Sequence, residues 1–63
     1  MEAKRITKLA EDLSRHYSYG WLCKQLGLNY RTLKRRISHH SWLIDEANII
    51  NRYHAMLIKE IEA

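Results

Sequence analysis

The 63-residue chain has no proline and no phenylalanine, only two glycines, and a single cysteine. With no proline, nothing in the interior of a segment removes a backbone donor and forces a helix to stop. Gly20 and Gly27 both fall at expected helix junctions, so the pattern reads as all-α. One cysteine excludes an intramolecular disulfide. Cys23 reads as a small packing residue, with a reactive thiol as the other reading, and a lone cysteine fits a reducing cytosol. No apolar run approaches the roughly 20 residues a membrane span needs. The start of the chain, Met1-Glu2-Ala3-Lys4-Arg5, lacks the apolar segment of a signal peptide. A cytoplasmic protein is expected. No internal repeat, low-complexity tract or linker is visible.

The length allows one domain, residues 1–63. A chain this short buries only roughly 60% of its unfolded surface, so tight helix packing or oligomerisation must supplement the core. Hydrophobic residues make up 46% of the sequence, which argues against disorder.

Acidic residues are missing from the whole middle of the chain. Residues 13 to 44 contain Arg15, Lys24, Arg31, Lys34, Arg35 and Arg36 but no Asp or Glu. The two ends carry every carboxylate, so the net charge of +4 understates the local field. Such a patch attracts a polyanion, and a dimer would double it. The plainer alternative is a solvated basic face.

The basic patch coincides with a local pattern in residues 18–37. Ser18 is placed to cap a short helix, and Leu22 and Leu26 lie four apart on one face of it. Gly27 follows where a residue with positive φ is wanted. Leu28 can tuck inward, and Asn29 can cap a second helix. Leu33 and Ile37 give that helix one apolar stripe. Tyr30, Arg31, Thr32, Lys34, Arg35 and Arg36 cover its other faces. A thin apolar seam on an otherwise cationic helix suits a groove lined with phosphates.

Gly27-Leu28-Asn29-Tyr30-Arg31-Thr32-Leu33-Lys34-Arg35-Arg36-Ile37 resembles the Fis-type helix-turn-helix. That unit occurs in the nucleoid protein Fis and at the C-terminus of bacterial enhancer-binding activators. The stretch is also similar to the DNA-binding end of invertase and resolvase recombinases. The resemblance covers about a third of the chain. It implies a helix-turn-helix whose second helix, 29–37, enters the major groove of double-stranded DNA. The expected role is a transcriptional regulator or a nucleoid-associated architectural factor, of bacterial or phage source. Asn29, Tyr30, Arg31, Thr32, Lys34 and Arg35 form the expected groove-facing surface, with Asn29 and Arg31 nearest base edges. Asn29 cannot easily cap the helix and read a base together. Lys24, Arg36, His39 and His40 are expected to neutralise phosphates.

Around this unit, residues 1–17 read as a first helix starting at residue 2. Ile6, Leu9, Ala10 and Leu13 form its inward stripe. Lys4, Arg5 and Lys8 lie on its outer faces, where they either reach flanking phosphates or are simply solvated. Trp21 reads as packed between helices. Ser38 and Ser41 are capping candidates for a C-terminal helix over 42–62. In it Leu43, Ala47, Ile50, His54, Leu57 and Ile61 are spaced as a heptad seam. A second stripe runs through Ile49, Tyr53 and Met56. One face can pack on the rest of the monomer and leave the other to a second copy, so a homodimer through the seam is expected; the alternative is that both faces pack within the monomer. In that dimer His54 would be a polar specificity residue, or simply an edge histidine.

The expected fold is therefore a small all-α domain of about four helices with a long C-terminal helix. His39 and His40 do not make a metal site, because adjacent residues diverge and no Cys or His falls at zinc-finger spacing. No glycine-rich phosphate loop or nucleophile elbow is present, and no cofactor or enzymatic activity is expected. The competing reading is a helical adaptor or inhibitor that uses the same scaffold to hold a protein partner. RNA binding stands third.

Overall fold

The computed structural model describes residues 3–62 and contains four helices and no strand among them. They are α1 (Ala3–His16), α2 (Tyr19–Leu26), α3 (Tyr30–His39) and α4 (Ile44–Glu62). This is the all-α class with a long C-terminal helix. The expected first helix included residue 2, which lies outside the described residues.

The core follows the apolar stripes. Ile6, Ala10 and Leu13 from α1 meet Leu22 from α2, Leu33 from α3, and Ala47, Ile50 and Leu57 from α4. Each fully buried Leu or Ile contributes about 1.5–3 kcal/mol relative to exposure. Leu9, Leu26 and Ile37 pack around this centre, as do Trp21 and Cys23. The expected packing of Trp21 and Cys23 thus holds, although neither is fully enclosed. Trp21 stacks on Tyr17 at 4.1 Å between centroids and meets the edge of Tyr53 at 5.2 Å. Tyr53 in turn donates from its phenol to Gln25 Oε1, fastening α4 to α2.

α1 packs most extensively against α4. Thr7 meets Trp42 just before α4 begins, and Asp12 meets His54 farther along. The two helices therefore run in the same direction. This pairing corrects the reading of the heptad seam. Ala47 and Ile50 are fully buried and Leu57 nearly so, all inside the monomer. His54 Nε2 lies 3.4 Å from Asp12 Oδ2 of the same chain. A seam is an apolar stripe, and α1 is the nearest apolar surface that can cover it. Only the ends of the stripe, Leu43 and Ile61, stay exposed.

The start of α4 also differs from expectation. It begins at Ile44, and neither Ser38 nor Ser41 caps it: Ser38 lies within α3 and Ser41 in the link. Leu43 is the N-cap residue, since its carbonyl accepts the first helical bond, from Ala47 N–H. Leu43 has no side-chain acceptor to offer. Glu46 instead reaches back three residues and accepts the Leu43 N–H at 3.0 Å, half of a capping box. Its charge, with that of Asp45, also suits the positive end of the helix.

Candidate nucleic-acid interface

The α2–turn–α3 unit is built by local rules. Ser18 accepts the Trp21 N–H at 3.0 Å and starts α2. Gly27 ends it in the left-handed region at φ 68°, and the Leu28 N–H folds back to the Cys23 carbonyl. Three residues separate Leu26 from Tyr30, which opens α3. Asn29 accepts the Thr32 N–H through Oδ1 at 2.7 Å. Leu33, fully buried, and Ile37, partly buried, pin the inner face of α3 to the core.

With the inner face fixed, Tyr30, Arg31, Lys34 and Arg35 are exposed together, and His39 follows on the last turn. Lys24 is exposed on α2. Among the described residues, Arg31, Lys34 and Arg35 form no ion pair with a carboxylate. Thr32 is half-buried. The unit therefore presents a row of cations on one helix with no ion-pair partner among the described residues.

Three expected contacts move. Arg36 turns away from this face: its Nε lies 3.2 Å from Glu46 Oε1, with the Glu46 side chain 7% exposed. It is tied to α4 rather than standing free in the exposed row. His40 also turns inward. It ends α3 in the left-handed region at φ 52°, and its Nδ1 lies 2.9 Å from Thr7 Oγ1. Thr7 Oγ1 also accepts from Trp42 Nε1 at 2.9 Å and donates to the Ala3 carbonyl at 3.1 Å. A hydroxyl has one donor and two acceptor sites, so this set fills all three when His40 donates. Asn29 is the third, since the oxygen it would show to a base already caps α3.

One neighbour of the surface was missed. Tyr19, the first residue of α2, meets Tyr30 edge-on with centroids 5.8 Å apart. Lys34 Nζ lies 5.2 Å from the Tyr19 ring centre and 5.8 Å from that of Tyr30. The i to i+4 spacing of Tyr30 and Lys34 was readable; the arrival of Tyr19 depends on how α2 crosses α3.

Elsewhere, an open hollow of about 390 Å³ lies between the C-terminal ends of α1 and α4. Asp12, His54, Arg15 and His16 line it above Leu57, Ile58 and Ile61. No serine, cysteine or lysine in that lining is placed for the His54–Asp12 pair to activate. Among the described residues no group of three or more His, Cys, Asp or Glu side chains is arranged to hold a metal ion. No described helix is long and apolar enough to cross a membrane.

No protein-family model, no curated protein and no solved structure matches this chain.

Proposed function

We propose that this protein binds double-stranded DNA, laying the exposed face of α3 in the major groove, and acts as a transcriptional regulator or architectural factor rather than a catalyst. One observation carries the reading. Arg31, Lys34 and Arg35 stand exposed on a single helix with no carboxylate partner among the described residues, while the cation that could have been a fourth, Arg36, is paired inward. A phosphate backbone is the ligand that rewards such a row, through release of its counterions. Arg31, in the first turn of α3, is the residue assigned to base edges. An arginine reading guanine through two hydrogen bonds is worth about 1–3 kcal/mol of discrimination. Lys34, Arg35, Lys24 and His39 are assigned to phosphates. The resemblance of residues 27–37 to the Fis-type unit supports the same docking, and nucleoid association would follow from it.

The test is a titration of random duplex DNA, followed by fluorescence anisotropy at two salt concentrations, with an Arg31→Glu/Arg35→Glu variant alongside. Binding that weakens with salt and disappears in the folded variant supports the reading. A folded wild-type protein that ignores duplex DNA at low salt overturns it.

A second reading rests on a separate observation. Ile58 and Ile61, three residues apart on one face near the C-terminal end of α4, are both exposed. Neighbouring exposed apolar side chains of that kind favour protein contact. A second copy or another protein would meet the chain there, since the buried part of the seam is closed by α1. Loss of function on changing Ile58 and Ile61, with DNA binding intact, would favour this reading.

A further inference from the structure

Tyr30 is the one apolar group on the cationic face of α3. It is 57% exposed, in the first turn of the helix, beside Arg31 and one turn before Lys34. Its ring has two neighbours: Tyr19 meets it edge-on, and the Lys34 ammonium lies 5.8 Å from its centre. Cation and ring attract at that separation, and the edge contact suits two aromatic quadrupoles. The face thus offers an aromatic disc flanked by positive charge. The phenol oxygen can hydrogen-bond a phosphate or a base edge, but neither gains from the face of the ring. The major groove has one apolar feature, the 5-methyl of thymine. The N-terminal turn of a helix in that groove is the part that approaches base edges.

We propose that Tyr30 is a specificity residue that packs its ring on a thymine methyl, with Tyr19 and Lys34 holding it in place. This inference rests on the DNA reading above and names the ligand more narrowly: thymine-bearing duplex DNA. RNA lacks that methyl, and the A-form major groove is too deep and narrow for a side chain to read.

The probe is the duplex recovered by site selection, synthesised with thymine and, separately, with deoxyuridine at every thymine position. A matching RNA duplex is the third arm. Wild-type protein should bind the thymine duplex roughly fourfold more tightly per contacted methyl, the value of one buried methyl group. Tyr30→Phe should keep that preference. Tyr30→Ala, at an exposed position where helix content by circular dichroism should not change, should bind both DNA duplexes alike. Equal binding of both duplexes by the wild type overturns the inference and leaves the DNA reading standing. So does a preference that survives in Tyr30→Ala, since another group then reads the methyl. RNA bound as tightly as thymine DNA overturns it as well. A folded wild-type protein from which site selection recovers no duplex overturns the inference and the DNA reading together.

Discussion

Arg36 and Glu46 join α3 to the first turn of α4 through an ion pair 3.2 Å long, between side chains 26% and 7% exposed. The same Glu46 oxygen, Oε1, accepts the Leu43 N–H and so caps α4. The Arg36 Nε is buried and makes no well-aligned hydrogen bond, so the attraction is mainly one of charge. One carboxylate therefore does two things. It starts a helix that lacks a conventional cap, and it withdraws one arginine from the cationic row.

Glu46→Ala should be among the more damaging single changes outside the apolar core. It removes a cap, at roughly 1 kcal/mol. It also leaves Arg36 half-buried without a counter-charge, which brings the total to about 2–3 kcal/mol. A domain of this size has roughly 3–5 kcal/mol in all. Glu46→Gln keeps an acceptor for Leu43 and should lose about half as much. Urea unfolding of the two variants checks the order. Equal losses would show that the cap contributes little.

The same pair predicts how salt acts on DNA binding. Each phosphate contact contributes about 0.9 to the log–log salt slope. Arg35→Gln should lower the slope by about that amount. Arg36→Gln should destabilise the fold yet leave the slope of the remaining folded protein unchanged. Anisotropy titrations from 50 to 200 mM salt, on variants shown to be folded, separate the two arginines. A slope that falls for Arg36→Gln would mean that DNA breaks the ion pair and recruits Arg36.

Two chain reversals use left-handed backbone, one with glycine and one without. Gly27 sits at φ 68° with nothing within 4 Å of where a Cβ would stand. Gly27→Ala should then cost about 1 kcal/mol from backbone conformation alone, with no clash added. His40 holds φ 52° with a full side chain. His40→Gly relieves that strain but loses the bond to Thr7, and should be close to neutral. His40→Ala loses the bond and keeps the strain, so it should be about 1 kcal/mol worse than His40→Gly. Thermal unfolding resolves this, since 1 kcal/mol shifts Tm by roughly 4–8 °C in so small a domain.

What the sequence disclosed divides along the same line between local and distant contacts. Ser18, Gly27 and Asn29 act within three to five residues of themselves, and their roles were readable from spacing. The inward stripe of α1 was readable for the same reason. The Arg36–Glu46 pair spans a helix end and a link, and Thr7 reaches 35 residues to Trp42. Nothing in residue order marks such partners. A glutamate three residues after the true N-cap was the available signal for the start of α4. Ser41, a better cap by type, masked it. The heptad through Ala47, Ile50 and Leu57 was real, but a periodic stripe says only that a face is covered, not whether by the same chain or another. For the cationic row, composition and face were legible in residue order; the inward turn of Arg36 and His40 removed two of its expected members.

Thr7 is the fastening point between α1 and the link before α4. Thr7→Val keeps the shape and removes the hydroxyl that Trp42 and His40 both contact. Two half-buried donors then need water in its place, at a cost of roughly 1–3 kcal/mol. Thr7→Ser should recover most of it. Hydrogen exchange offers a local check: the amides around Ser41 and Leu43 should lose protection in Thr7→Val before those of α2 do. Uniform loss across the chain would mean that the hydroxyl supports the whole core rather than the link.

Ile50 and Ile61 lie on one stripe of α4 and should respond in opposite ways. Ile50 is fully buried against α1, so Ile50→Ala leaves a cavity and should cost about 2–5 kcal/mol. That approaches the whole stability of the domain, and the variant should be largely unfolded at 25 °C, whatever its state of association. Ile61 is 69% exposed near the end of the same helix, so Ile61→Glu should leave stability nearly unchanged. If a second copy covers this end, alongside the exposed Ile58, a charge there should disrupt it. Sedimentation velocity of wild type and Ile61→Glu, read beside their melting curves, decides the matter. A wild type that is dimeric and an Ile61→Glu protein that is a folded monomer would place the contact at the free end of α4. A dimer that persists in Ile61→Glu would move it elsewhere on the surface. The buried seam stays excluded in either case, because opening it to a partner would first require taking α1 away.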